Sequence, residues 1–388
     1  MRQSDANILR KILFFVTEDW FFCSHFLDRA RAARQEGYKV TVVTRGGNHV
    51  KTITGEGLRH IPIAVERRNM NPLRDVGLLR TLVEIYRQER PDIAHHVAFK
   101  PIIYGSFAAK LARVPHVINA PVGLGYVFSS TQLKAKLAKP LAMLLYKLWL
   151  QPLNGRVILE NSDDLCLLSK LRLIDESQTV LIRGAGVDTS RYVPTPEPQG
   201  EIVVIFPARM LWDKGVGEFV DAARQLREQK IAAQLILVGQ SDPGNPCSVP
   251  VWQLEQWHES GVVAWWGFCD DMPRVFAESH VVCLPSYREG LPKVLIEAAA
   301  CGRSIVTTDV PGCREVVQNE NNGLLVPARN STALAAALRR LILSPALRQF
   351  LRRRAREIAE TEFTVEKVNE RTLAVYRELL IDGELRGV

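Results

Sequence analysis

Short apolar runs alternate with amphipathic stretches along the whole chain. Lys11 to Val16 is apolar and short, a helical stretch from Ser24 to Glu36 follows and is stopped by Gly37, and Tyr38 to Val43 reads as a second strand. Ile93-Ala94-His95 and His116-Val117-Ile118-Asn119 are further strand ends, with helical periodicity around Gly105 to Ala112 between them. Arg156 to Leu159 repeats the pattern, and Asn161-Ser162-Asp163-Asp164 caps another helix. After the Pro-rich stretch Pro194-Thr195-Pro196-Glu197-Pro198 the alternation restarts with Ile202 to Phe206, and the charged tail from Arg352 to Glu366 and beyond reads as helix. Repeated strand–helix units on both sides of a Pro-rich break predict two doubly wound α/β domains. Ligands bind such sheets outside the carboxyl ends of the strands, so the expected active site is a cleft that the two domains face.

Composition changes this picture little. The 388 residues are long for a single core and suit two domains, and 47% hydrophobic and 24% charged residues are ordinary for a soluble globular protein. The seven cysteines (Cys23, Cys166, Cys247, Cys269, Cys283, Cys301 and Cys313) show no paired spacing and read as reduced thiols, which favours the cytoplasm. Ile12 to Val16 is too short for a secretory signal, and no stretch approaches about 18 uncharged apolar residues, so no transmembrane helix is expected.

Charge is unevenly placed. Residues 1–150 carry 23 basic against 11 acidic side chains, and residues 101–150 hold six basic residues and no acidic one. Lys134, Lys136, Lys139 and Lys147 interleave with Leu133, Leu137, Leu141, Met143, Leu144, Leu145, Tyr146, Leu148, Trp149 and Leu150. Such a segment, about 133–150, can lie in an anionic membrane interface with its lysines at the headgroups; the alternative is a core helix with a solvated lysine face. No recognised motif supports nucleic-acid binding.

The richest chemistry lies between Val281 and Gly302. Val281-Val282-Cys283-Leu284 reads as a short buried strand, Pro292 suits the first turn of a helix, Val294 to Cys301 carries its body and Gly302 ends it. A strand, a tight loop and a helix N-terminus together suit an anionic, hydroxyl-rich ligand. Glu289 sits in the loop, where it can accept hydrogen bonds from sugar hydroxyls, and Glu297, inside the helix, would have to face inward to bind a polyol such as ribose. A solvated loop followed by an amphipathic helix is the bland alternative.

Pro285-Ser286 through Gly302 resembles the nucleotide-sugar loop of retaining glycosyltransferases of family 4, in the two-domain B-type fold. Four further segments match in order. Pro207-Ala208-Arg209 with Asp213-Lys214-Gly215 resembles the basic diphosphate-binding pair, and Leu237-Val238-Gly239 the strand end near the nucleobase. Val263 to Gly267, then Phe268 and Asp270-Asp271-Met272, resembles the strand and loop closing over the base. Gly184-Ala185-Gly186-Val187-Asp188, ahead of Arg191-Tyr192, resembles the hinge entering the C-terminal domain. The resemblance implies two Rossmann-like domains (GT-B type): an acceptor-binding domain at 1–182, a nucleotide-sugar-binding domain at 183–362, and a helix at 363–388 crossing back to the first, with the linker near 183–200 as hinge.

The N-terminal half departs from the family in one loop. Thr17-Glu18-Asp19-Trp20-Phe21-Phe22-Cys23-Ser24-His25 stands where many relatives carry a Gly-rich loop; Ser24 can cap the following helix, and His25 either points into the cleft or lies on a surface first turn. Pro91 to Pro101 resembles the strand end that, in many relatives, places a histidine beside the donor's anomeric carbon, here with the adjacent pair His95-His96. Subfamilies acting on polyprenyl-diphosphate-linked sugars show a similar Lys-Pro element. Lys100 could supply charge to the leaving diphosphate and a histidine could orient the acceptor hydroxyl, against the alternative of structural strand histidines. Gly123-Leu124-Gly125 with Tyr126 and Phe128 looks like an acceptor-side loop.

The resemblance implies a mechanism. A UDP-sugar, as substrate rather than cofactor, binds the C-terminal domain; Arg209 and Lys214 neutralise its diphosphate, Gly239 and Phe268 border the base, and Glu289 with Gly290 and Leu291 positions the sugar. Val294, Leu295 and Glu297 complete the donor side, with Glu297 on the ribose. No metal is expected, since Asp163-Asp164 and Asp270-Asp271 are adjacent pairs better read as caps or turns than as an Asp-x-Asp element. The expected acceptor is a polyprenyl-diphosphate-linked sugar in surface polysaccharide synthesis (lipopolysaccharide or exopolysaccharide), handled on the cytoplasmic face of the membrane. A soluble acceptor, a nucleotide-sugar epimerase of similar fold and a non-catalytic binding module are the rivals.

Overall fold

Both halves of the chain order their strands in the same way. The structure is a computed structural model that describes residues 9–65, 72–123 and 133–386, with the side chains of 72–75, 133–138 and 382–386 outside that description. The chain divides into two units: residues up to Ala185 together with those from Glu366 onward, and Gly186–Val365.

In the first unit the strands are β1 (Lys11–Glu18), β2 (Lys39–Arg45), β3 (Arg59–Pro62), β4 (Ile93–Val97), β5 (His116–Ala120), β6 (Gly155–Leu159) and β7 (Thr179–Leu181). They form one parallel sheet in the order β3-β2-β1-β4-β5-β6-β7. The connecting helices are α1 (Asp19–His25), α2 (Leu27–Gln35), α3 (Val50–Gly55), α4 (Pro72–Glu89), α5 (Phe99–Ala112), α6 (Leu133–Trp149) and α7 (Ser162–Lys170). β1 is apolar at nearly every position because a central parallel strand is covered on both faces. Ile12, Phe14 and Val16 enter one core cluster, while Leu13 and Phe15 enter the other.

The second unit holds β8 (Val203–Pro207), β9 (Gln234–Val238), β10 (Ala264–Gly267), β11 (Val281–Leu284), β12 (Ser304–Thr308) and β13 (Leu324–Val326). Their order is β10-β9-β8-β11-β12-β13, again parallel. Its helices are α8 (Val216–Glu228), α9 (Val251–Glu259), α10 (Met272–Ala277), α11 (Lys293–Ala300), α12 (Cys313–Val316), α13 (Ser331–Leu343) and α14 (Pro345–Glu362). The last helix, α15 (Val365–Arg386), returns to the first unit, where Val368, Leu373, Val375, Tyr376 and Leu379 pack with β1 and β4 residues.

Two expectations need correction. The expected helix from Ser24 is two helices broken at Phe26, and its start lies at Asp19, so Ser24 is an exposed residue of the last turn of α1 rather than a cap. Asp19 instead anchors the start: its buried carboxylate accepts from the amides of Trp20 (2.8 Å) and His49 (2.9 Å). The Pro-rich stretch is tied down by arginines of the second unit. Arg348 donates to Glu197 at 3.1 Å, Arg352 to the Thr195 carbonyl at 2.7 Å, and Arg303 to Thr195 Oγ1. The chain passes between units at Ala185/Gly186 and Val365/Glu366, where Val187 N–H donates to the Phe363 carbonyl at 2.8 Å. Second, β4 runs on to Val97, so His95 and His96 are interior strand residues rather than its end.

Candidate active site

In the second unit the strand order reverses between β8 and β11, and in a doubly wound sheet the carboxyl ends on either side of that reversal form the ligand crevice. The segments after these two strands carry the charged residues singled out in the sequence. After β8 comes Arg209, then a single 3₁₀ turn, Trp212–Lys214, and Gly215, which opens α8 with φ +80°. A Cβ at Gly215 would lie 2.1 Å from the carbonyl oxygen of Pro285, so only glycine lets this turn seat on the loop after β11.

That seating brings the charges together. Lys214 Nζ donates to Glu289 Oε1 at 2.5 Å, and Ser286 Oγ donates to the same oxygen at 2.5 Å. Arg209 Nη1 pairs with Asp242 Oδ2 at 2.9 Å, and both side chains are about a third exposed. Asp213, next to Lys214, is half-buried; desolvation raises its carboxyl above the usual range, Lys214 opposes this, and Glu289 adds to it. Tyr287 donates to Glu218 at 2.6 Å, and the Arg329 guanidinium covers its ring at 4.1 Å.

Glu297 does turn inward. It is buried on α11, accepts from the Tyr192 hydroxyl at 2.9 Å, and has Lys293 Nζ 3.6 Å away. Burial raises its carboxyl above the usual range, with Lys293 and then Tyr192 opposing. Gly239 follows β9 beside Ala208; its amide donates to the Gly267 carbonyl at 2.6 Å and its own carbonyl accepts from Trp265 Nε1 at 2.8 Å. Phe268 is exposed. Gly290 is half-buried in the loop, Leu291 is buried, and Val294 is half-buried. Leu295 is fully inside the core, so a contact from it runs through the main chain. Asp271 caps α10, accepting from Arg274 N–H at 3.3 Å, and Asn161 caps α7 through the Asp164 amide at 2.7 Å.

The histidine pair is buried in the first unit, as the alternative of structural strand histidines has it. β4 lies between β1 and β5, so both its edges are paired, and all of its residues on both faces are buried. His95 is stacked on Phe14 at 5.0 Å and bonds to Tyr376 Oη at 2.9 Å. His96, on the other face, bonds to Tyr86 Oη at 3.0 Å and Asn119 Oδ1 at 2.9 Å, and burial holds its pKa down to about 4. Neither ring reaches solvent. Lys100 is buried in the first turn of α5, preceded by Ala98 at φ +72°, an uncommon conformation for alanine at the end of β4. His25 stacks on Phe21 at 4.3 Å on α1. Gly123 ends the described segment, and Gly125, with Leu124, Tyr126 and Phe128, lies outside the described residues.

Sequence reasoning left Ser286, Tyr192 and Asp242 without roles, although each now holds one of the expected ligand-binding side chains. Ser286 had a local signal three residues before Glu289; Tyr192 and Asp242 reach their partners across 105 and 33 residues, and no local pattern marks such pairs.

Residues 11–153 match the family described as glycosyl transferase 4-like, and residues 201–344 the glycosyl transferases group 1. The chain is 26% identical over 363 residues to the N,N'-diacetylbacillosaminyl-diphospho-undecaprenol alpha-1,3-N-acetylgalactosaminyltransferase of Campylobacter jejuni, covering 90% of this chain and 94% of the relative. It is 23% identical over 323 residues to the UDP-Gal:alpha-D-GlcNAc-diphosphoundecaprenol alpha-1,3-galactosyltransferase of Escherichia coli, covering 79% and 80%. Among solved structures, Anabaena HepE in complex with UDP-glucose matches with a TM-score of 0.78 at 20% identity over 95% of this chain and 99% of that one. Sucrose-phosphate synthase from Thermosynechococcus elongatus matches at 0.81 and 22% over 96% and 100%. These likenesses establish the two-domain GT-B fold, and with both halves matched in order the chain belongs to the glycosyltransferases, uniting a 4-like N-terminal part with a group 1 C-terminal part.

Proposed function

We propose that this glycosyltransferase moves a hexose or N-acetylhexosamine from a UDP-sugar to a polyprenyl-diphosphate-linked sugar, with retention of anomeric configuration, in surface polysaccharide synthesis. The observation that carries the donor reading is the convergence of Lys214 and Ser286 on Glu289, beside Arg209, at the carboxyl ends of β8 and β11. Two cations supply the positive charge that a diphosphate needs, and one carboxylate supplies the acceptor that sugar hydroxyls need. The bond from the anomeric carbon to the β-phosphate oxygen breaks, the acceptor hydroxyl bonds to that carbon from the same face, and its proton passes to the leaving phosphate. Arg209 and Lys214 stabilise the charge that gathers on the diphosphate, so no metal is needed in this reading.

The acceptor reading draws on the two relatives named above, whose names specify diphospho-undecaprenol-linked sugars. It also draws on α6. Ala142 and Tyr146 on this helix and Leu150 just after it bury one stripe, while Leu141, Leu144 and Leu148 are more than half exposed and are joined on the surface by Lys139 and Lys147. Leucines at this spacing, flanked by lysines, suit the interface of an anionic membrane, and we place the enzyme there on the cytoplasmic face. Among the described residues no helix is long and apolar enough to cross a membrane.

The test offers labelled UDP-sugars to the protein with a polyprenyl-diphosphate-linked sugar in anionic vesicles and scores label in the organic phase. Acceptor-dependent label from one donor is expected. Label remaining in the aqueous phase, as isomerised sugar, hydrolysed sugar or a soluble product, would overturn the lipid-linked acceptor.

A further inference from the structure

Tyr192 comes from the segment that enters the second unit, far in sequence from the helix it touches. Its hydroxyl is 2.9 Å from Glu297 Oε1, and Lys293 Nζ approaches the same oxygen at 3.6 Å. No donor among the described residues meets Oε2, so the buried carboxylate is tethered through one oxygen and open at the other. The tyrosine is itself held on every side. Its amide donates to the Asp188 carbonyl at 2.9 Å, and its carbonyl accepts from Arg356 Nη1 at 2.7 Å. Its ring is tilted against Phe276 with centroids 6.3 Å apart, and the Arg191 guanidinium lies 5.6 Å from it. Ring packing alone would be met by phenylalanine. The hydroxyl adds one thing, a fixed donor to Glu297.

We propose that Tyr192 is a positioning residue of the nucleotide site: it holds Glu297 Oε1 so that Oε2 is presented to a ribose hydroxyl. This rests on the reading that Glu297 takes the ribose of the donor. The physical reason is torsional. A glutamate carboxylate turns freely about its last bond unless something fixes it, and a fixed acceptor loses less freedom when a hydroxyl binds. The donor hydrogen bond also spares a buried charge from standing unsatisfied on that side.

The experiment measures binding of UDP and of 2',3'-dideoxy-UDP to wild type, Tyr192→Phe and Glu297→Gln by titration calorimetry, with melting curves on all three. The expected result is that Y192F binds UDP about tenfold more weakly, as for loss of one charge-assisted hydrogen bond, yet binds the dideoxy analogue as wild type does. E297Q is expected to lose the preference for UDP over the analogue. If Y192F binds UDP like wild type while E297Q loses the preference, Tyr192 has no positioning role and the ribose reading stands. If Y192F weakens both ligands equally, its part is general support of the unit and the proposal falls. If E297Q keeps the full preference, the ribose reading itself is wrong, and the proposal falls with it.

Discussion

Replacing Glu289 by glutamine is expected to lower kcat by about 10²–10³-fold, the scale of removing one group that acts on transition-state charge. The substitution keeps shape and removes charge. Glutamine can still accept from Ser286 Oγ, but Lys214, now 2.5 Å from Glu289, would face a neutral amide and lose its ion pair. The loop itself is fixed by other bonds: Thr307 Oγ1 donates to the Leu284 carbonyl at 2.7 Å, Thr308 Oγ1 to the Ser286 carbonyl, and Tyr287 N–H to the Asp213 carbonyl at 2.9 Å. The fold should therefore survive, and the melting temperature should stay within about 2 °C of wild type. Steady-state turnover and a melting curve on the same preparation check both halves. Turnover within about threefold of wild type would remove Glu289 from the chemistry.

Gly215→Ala should damage the same site by steric means. Its methyl group would lie 2.1 Å from the Pro285 carbonyl oxygen, and the φ of +80° adds strain of about 1–2 kcal/mol for an L-residue. Backbone faces backbone here, so neither side can yield cheaply. With the clash included, a loss of about 2–4 kcal/mol is expected, a fall of roughly 5–15 °C for a unit of this size. UDP affinity should fall at least about tenfold, because the turn bearing Lys214 would separate from the loop bearing Glu289. Gly217→Ala, two residues on, is the control: its methyl group would lie 3.5 Å from Trp212 at ordinary contact, inside α8, so stability should hold or rise by about 0.5–1 kcal/mol. Differential scanning calorimetry of the two variants separates the cases, and equal melting temperatures would refute the close-approach argument.

The fold was legible because a parallel strand covered on both faces writes itself as an apolar run, as in β1, β8 and β11, and each run is followed by an amphipathic helix. The shape of the loop after β11 was legible because Ser286, Glu289, Pro292 and Glu297 lie within one strand–loop–helix unit, so their spacing fixes their geometry. The histidines failed for the same reason that the strands succeeded. His95 and His96 read as a strand end, yet β4 continues past them to Val97, and their partners Tyr376 and Asn119 come from elements that local pattern cannot join to them. Ser24 failed because Asp19 starts its helix five residues earlier, using an amide 30 residues away at His49. The ties on the Pro-rich stretch were not legible, because proline marks extended chain, whether loose or tied down, and Arg303, Arg348 and Arg352, which hold it, lie far along the sequence.

The central claim is that a nucleoside diphosphate binds at the carboxyl ends of β8 and β11 through Arg209 and Lys214. Calorimetric titration of UDP and uridine into wild type and the double variant Arg209→Ala/Lys214→Ala tests it most directly. UDP affinity in the double variant should drop by about a hundredfold or more, with uridine binding unchanged, since only the phosphates lose their cations. UDP binding to the double variant at wild-type affinity would contradict the claim.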